Sequence, residues 1–402
     1  MRPQTKIAGI LKMKQLLHHD IIKKGSQTGL LCNQSCWQAA TGKYVFETLI
    51  GQGVLKKVFI PEHGLFGELQ DQEKLDNTSA YHFFSDKVEW ISLYSYQESS
   101  LSASASQLAG IDTLIIDLQD TGSRYYTFIS TIWLLLKSIT IHHLDIKIVV
   151  LDKPNPAGRQ VEGTRMQQEY ASFIGLQGLP HRHGLTIGEL CRYFKYKLEA
   201  EWELVIVPAR RKEYIFIPPS PNIPNAAVCR LYSGQCLWEG TNISEGRGTT
   251  LPFEMTGAPF LDWIFREDWN STGHPVFNKY AFIRPAKFIP TFHKYANTSC
   301  SGFHLLISDK KKYHSLSHSL RLLKYIKERS PEFAWKEGKY ESFNDKKAIE
   351  LLAGDTLILD YFEQKASWKE VKIKMEEEEA AWIKTASPFL IYKSSLHQSK
   401  IK

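Results

Sequence analysis

TLIIDLQDTGSRYYTFIST, residues 113–131, decides the fold. Residues 113–118 are nearly all apolar, with no polar alternation, and the run is too short for a helix. That is the pattern of a strand covered on both faces. A polar turn follows at Gln119, Asp120, Gly122 and Arg124, and an apolar stretch over 125–139 then predicts a long helix. Strand, turn and helix make half of a βαβ unit. The same alternation extends in both directions. KIVVL (147–151) is a second strong strand, and GLLC (29–32), KVFI (57–60), EWISL (89–93) and residues 203–207 supply others. Residues 37–53 and 101–108 are helix-like in composition. The expected fold class is α/β, with a Rossmann-like parallel sheet in a domain over residues 1–260.

In an open parallel sheet the ligand lies outside the carboxyl ends of the strands. Five of the candidate strands here end in polar residues, Tyr94 after EWISL among them. Asn33 follows the first, Glu62 and His63 follow the second, Asp120, Arg124 and Tyr125 follow TLIIDL, and Asp152 and Asn155 follow KIVVL. In PEHG (61–64) a carboxylate and an imidazole stand side by side, and a carboxyl in a partly dry cleft is suited to general acid catalysis. Arg124 has the fork geometry for a carboxylate. LPHRHGLTIGEL (179–190) adds Arg182 and His183, and its Thr186 and Glu189 have capping-box spacing. PPSPNIPN (218–225) is a proline-stiffened loop. EGTNISEGRGT (239–249) sets Glu239 and Glu245 six residues apart among glycines that let a backbone approach a ligand. Two loop carboxylates opposite Glu62 supply the pair that a glycoside hydrolase uses.

Several alternatives are weaker. His63, His181, His183 and Asp152 would be the ligands of a metal-dependent hydrolase, but no HExxH or similar helical spacing occurs. The glycine-rich loop is neither a Walker A sequence nor a GxGxxG fingerprint, so ATP and NAD lack their usual cradle. No metal and no cofactor is expected. A sugar-binding protein that kept the cleft without turnover is the remaining alternative.

Composition sets broad limits. The chain has 402 residues, 43% hydrophobic and 23% charged, which excludes a disordered chain. Its length suggests two domains. Beyond residue 260 Lys becomes common, the Gly/Pro/Asn motifs thin out, and helices are predicted over 317–328, 345–352 and 367–385, so a smaller α+β auxiliary domain is expected over 261–402. The Glu376–Glu379 run reads as the solvated face of a helix. A net charge of +7 without a Lys/Arg block fits an anionic small ligand and gives no ground for a nucleic-acid partner. No run approaches the length of a membrane span. MRPQTKIAGILKMKQLLHHD (1–20) has no clean apolar segment or cleavage site, and the six cysteines (Cys32, Cys36, Cys191, Cys229, Cys236, Cys300) show no CxxC. A cytoplasmic protein with reduced thiols is therefore expected.

Taken together, GLLCNQS, FIPEHGLFGE, IIDLQDTGSRYYTFIST, VLDKPNPAGRQVEG, LPHRHGLTIGEL, PPSPNIPN and LWEGTNISEGRGTTLPFEMTGAP resemble the exo-β-N-acetylmuramidase (NamZ-like) family, in family order over residues 28 to 260. Later stretches (SCSGFHLLISD, LLAGDTL, FLIY) resemble its C-terminal domain. The resemblance implies an exo-acting glycoside hydrolase that releases N-acetylmuramic acid from the non-reducing end of peptidoglycan fragments such as MurNAc-GlcNAc. It places the motif carboxylates at Glu62, Glu239 and Glu245, without saying which is the acid. The expected substrate-binding set is Asn33, His63, Asp120, Arg124, Tyr125, Asp152, Asn155, Arg182, His183, Ser220, Asn222, Asn242 and Arg247. The substrate's lactyl carboxylate needs a cation, for which Arg124, Arg182 and Arg247 are the candidates.

Overall fold

The computed structural model describes residues 6–7, 22, 25–70, 73–75, 77–95, 98–208, 214–340 and 345–401. Most of residues 1–20, expected to carry no leader, lies outside them. The strands in chain order are β1 (Lys6–Ile7), β2 (Thr28–Cys32), β3 (Trp37–Gln38), β4 (Lys43–Tyr44), β5 (Leu55–Ile60), β6 (Glu89–Ser92), β7 (Thr113–Asp117), β8 (Lys147–Asp152), β9 (Gln160–Arg165), β10 (Pro180–Arg182), β11 (Leu204–Pro208), β12 (Met255–Ala258), β13 (Ala281–Phe288), β14 (Cys300–Ile307) and β15 (His397–Gln398).

Six strands and the two-residue edge strand β1 form one sheet in the order β1-β11-β8-β7-β2-β5-β6, and every pairing is parallel. Numbering from β2, this is the 3-2-1-4-5-6 order of a doubly wound sheet, and its direction reverses between β2 and β7. Burial explains the apolar runs. Leu114 and Ile116 of β7 enter the core on one face, while Ile115 enters the core on the other. In β8, Ile148 and Val150 divide from Val149 in the same way, as Leu204 and Ile206 divide from Val205 in β11. The helices Phe128–Ile141 and Ile187–Lys197 pack into the first core. The second begins under the capping box predicted from sequence, with Thr186 Oγ1 accepting from Glu189 N and Glu189 accepting from Thr186 N.

Besides the two-stranded β3–β4 pair, the described residues form two three-stranded sheets. In one, β10, β9 and β15 lie side by side; in the other β14 is paired antiparallel with β12 and β13. The strand Met255–Ala258 thus joins strands contributed by residues 281–307. The core of the first face continues without a break to Leu316 and Trp382 of the C-terminal helices Ser315–Arg329 and Trp368–Ala386.

Two local expectations are corrected. Residues 37–53 are not one helix. They form the β3–β4 hairpin, turned at Gly42 with φ +66°, and then the helix Val45–Gly51. The Glu376–Glu379 run is not wholly solvated, because Glu379 is fully buried and accepts from Gly163 N at 2.7 Å and from the His314 ring at 2.8 Å.

Candidate active site

The chain leaves β5 at Pro61 and turns sharply. His63 adopts φ +74° and Gly64 φ +84°. A left-handed histidine is held at a cost of about 1–3 kcal/mol, here by a bond between its Nδ1 and Leu69 O at 3.1 Å and by stacking on Tyr126. The turn places Glu62 beside the start of the Phe128–Ile141 helix, where it accepts from the Thr127 hydroxyl at 2.7 Å.

The PPSPNIPN loop is drawn over the same end of the sheet. Asn33 Nδ2 reaches Pro219 O, Gln34 Nε2 donates to Pro218 O at 2.7 Å, and Asn222 donates to Gln70 at 2.8 Å. The third wall comes from the helix Val228–Gln235, the 3-10 turn Cys236–Gly240 and the glycine-rich loop after it. Gly246 and Gly248 both have positive φ, and a Cβ on either would come within 2.7 Å of a backbone oxygen. Their turns set Arg247 between two carboxylates. Its Nη2 donates to Glu239 at 2.8 Å and its Nε lies 3.1 Å from Glu245.

These walls border one open cavity, lined by Glu62, His63, Lys74, Tyr94, Tyr125, Tyr126, Phe173, Ser220, Asn222, Glu239, Arg247 and Tyr340 among others. Glu62 and Glu239, far apart in sequence, share this space. Glu239 accepts at one oxygen from Arg247 and at the other from the Tyr340 hydroxyl. Glu245 does not line the cavity. It is fully buried behind Arg247, bonded to Lys294 at 2.9 Å and in contact with His293 at 3.1 Å. Burial alone would push its carboxyl up, but Lys294, His293 and Arg247 together hold it well below the usual carboxylate range.

Of the residues expected to bind substrate, His63, Tyr125, Ser220, Asn222 and Arg247 lie in the cavity wall. Others are placed elsewhere. Arg124 is fully buried and donates to the carbonyls of Thr164, Leu179, Leu352 and Ala353. Arg182 is spent on Glu162 at 2.9 Å and Gln160 at 2.6 Å. Asp152 accepts from Thr186, Gly188 N and Tyr392; burial outweighs these bonds and lifts its carboxyl to about 6. Asp120 accepts from Gly122 N at 2.7 Å and lies 3.3 Å from His183. Asn155 caps a turn and holds Leu185 O, Asn33 anchors the proline loop, and Asn242 is bonded to the backbone of Glu332 and Ala334. His181 is bonded to Tyr125 and Arg124, apart from the His183–Asp120 pair. No group of three or more His, Cys, Asp or Glu placed to hold a metal ion occurs among the described residues. Lys74 and Tyr340 stand in stretches without a motif, whereas Tyr94 directly follows the EWISL strand and belongs with the strand-end residues.

Family models describe the two halves of the chain. The N-terminal model of exo-β-N-acetylmuramidase NamZ matches residues 28–227 and the C-terminal model matches residues 230–392. The chain belongs to the NamZ exo-β-N-acetylmuramidase family. A NamZ relative, the peptidoglycan β-N-acetylmuramidase NamZ of Bacillus subtilis (strain 168), is 33% identical over 349 residues, covering 84% of this chain and 80% of the relative. Crystal structures of two DUF1343 family proteins from Bacteroides fragilis have the same fold. One has a TM-score of 0.76 at 22% identity, covering 95% of this chain and 98% of its own. The other has a TM-score of 0.69 at 25% identity, covering 96% and 98%. In this NamZ family member the glycine-rich loop and Tyr340 fall in the part matched by the C-terminal model, and Glu62 falls in the part matched by the N-terminal one.

Proposed function

We propose that the protein is an exo-acting β-N-acetylmuramidase that releases N-acetylmuramic acid from the non-reducing end of peptidoglycan fragments, with Glu62 as general acid and Glu239 as its partner carboxylate. The observation that carries this is the presence of Glu62 and Glu239 in the wall of one cavity at the carboxyl ends of the sheet, within a chain of the NamZ family. Glycoside hydrolysis needs one carboxyl to protonate the leaving oxygen and a second carboxylate at the opposite face of the ring. Both oxygens of Glu239 accept, one from the Arg247 guanidinium and the other from the Tyr340 hydroxyl, which fixes its orientation in the cavity wall. Glu62 stands in the wall of the same cavity and accepts from the Thr127 hydroxyl at 2.7 Å. Glu245 acts at one remove, through Arg247.

The test is turnover of a MurNAc-GlcNAc disaccharide with analysis of the product anomer. Release of MurNAc is expected; an inverted anomer means that Glu239 activates water, and a retained one means attack by Glu239 or by the substrate's own 2-acetamido oxygen. Glu62→Gln is expected to lower kcat by about 10²–10⁴-fold while the protein stays folded. Near-normal turnover in that variant removes Glu62 from the role. Binding of the disaccharide without any turnover at high enzyme concentration favours the sugar-binding alternative.

A further inference from the structure

N-acetylmuramic acid differs from N-acetylglucosamine by a lactyl ether at C3, which ends in a carboxylate. A site that prefers the first sugar needs a cation where that carboxylate falls. Of the three arginines named from sequence, Arg124 and Arg182 lie inside the protein, bonded to carbonyls and to Glu162. Arg247 reaches the cavity, but its charge stands between Glu239 and Glu245. Turning it towards a substrate would strip the cation from the carboxylate given the chemistry above.

Lys74 is the other Lys or Arg among the described cavity-lining residues. Its Nζ lies 3.8 Å from the centroid of the Tyr94 ring. The next residue is tied to the same place, with Leu75 N donating to Tyr94 O at 3.2 Å. The Tyr94 ring in turn stacks on Phe173, at 6.0 Å and 24° between planes, and both rings line the cavity. An ammonium seated on an aromatic face is held in position without losing its charge. It remains a compact point charge, and beside apolar walls it attracts an anion more strongly than in water.

From this geometry we infer that Lys74, positioned by Tyr94 and Phe173, recognises the lactyl carboxylate and sets the preference for muramic acid over glucosamine. The inference rests on the proposed muramidase activity and deepens it. The ring pair defines the side of the cavity occupied by the C3 substituent, and Glu62 and Glu239 are left to the glycosidic bond.

The test compares the wild-type protein with Lys74→Met and Lys74→Arg. Binding of free MurNAc and free GlcNAc is measured by calorimetry, and turnover is measured on a chromogenic β-N-acetylmuraminide and on its lactyl amide. In Lys74→Met, kcat/KM on the acid is expected to fall by about 10- to 100-fold, mainly through KM. The preference for acid over amide, and for MurNAc over GlcNAc in binding, should collapse by the same factor. Lys74→Arg keeps the charge and should recover most of it. A preference unchanged in Lys74→Met overturns the assignment, as does an equal loss on acid and amide. The binding arm separates the two claims. Lys74-dependent binding of MurNAc by a protein that hydrolyses nothing sinks the hydrolase activity and leaves the assignment standing. Hydrolysis with unchanged preference does the reverse.

Discussion

Replacing Glu245 by Gln separates the two loop carboxylates that sequence spacing leaves equivalent. Glu245 is fully buried and faces Lys294 at 2.9 Å, His293 at 3.1 Å and Arg247 at 3.1 Å. The substitution keeps the shape and removes the charge that these groups are arranged around. Removing one member of a buried ion pair costs about 3–5 kcal/mol. The amide oxygen still accepts from Lys294, so a loss near 3 kcal/mol is expected in denaturant unfolding at pH 7. The sign of the pH dependence follows from the carboxyl being held low in the folded state. Its stabilisation is present above the unfolded value of about 4.3 and is lost as pH falls below it. The gap between wild type and Glu245→Gln is therefore flat from about pH 5 upward and closes in acid. Activity behaves differently. Arg247 keeps its bond to Glu239, so kcat falls no further than the roughly 10²-fold that a misplaced catalytic group costs. Glu239→Gln, which acts at the cavity wall, also breaks a buried ion pair with Arg247 and so costs stability as well, but its loss of kcat is deeper. A Glu245→Gln protein that is as stable as wild type and catalytically dead would refute this division and return Glu245 to the chemistry.

Arg124→Met removes the donors from four backbone carbonyls, at Thr164, Leu179, Leu352 and Ala353. At about 1–3 kcal/mol for each buried acceptor left unpaired, the loss takes up most or all of the stability of an ordinary protein. Denaturant titration should show it, and a folded variant with a raised KM would instead make Arg124 a substrate ligand. Glu379→Gln should cost about 1–3 kcal/mol, since Glu379 is buried against Gly163 N and His314, whereas Glu377→Gln on the exposed face of the same helix should stay within about 0.5 kcal/mol. Burial opposes the charge on His314, but Glu162 and Glu379 outweigh it and raise its pKa. Its contribution is therefore full below about pH 6.5 and is lost as pH rises through the folded value. Glu379→Gln should weaken that dependence, and an unchanged profile would show that the pair does not share a charge.

The parallel sheet is legible because its strands satisfy one demand along their whole length. Leu114, Ile115 and Ile116 each meet a core whichever face they take, so composition alone reveals them. The small antiparallel sheet is not legible in the same way. β13 carries Pro285, tolerated because β13 is an edge strand, and β14 carries Gly302, where a Cβ would sit 1.9 Å from Thr256 O. Both residues weaken the strand pattern for reasons that exist only once the neighbouring strands are in place. The site divides along a similar line. That polar residues gather at the strand ends follows from the sheet, but which of them face a ligand depends on partners remote in sequence. Arg124 ends against Leu352 and Ala353, more than two hundred residues away. Asp152 ends under Tyr392. A strand-end polar group is required as much to hold returning loops as to meet a substrate, and residue type does not distinguish the two uses. The glycine-rich loop makes the point within six residues. Glu239 and Glu245 have the same chemistry, but left-handed turns at Gly246 and Gly248 set Arg247 between them. One carboxylate faces the cavity and the other orients the cation that holds it.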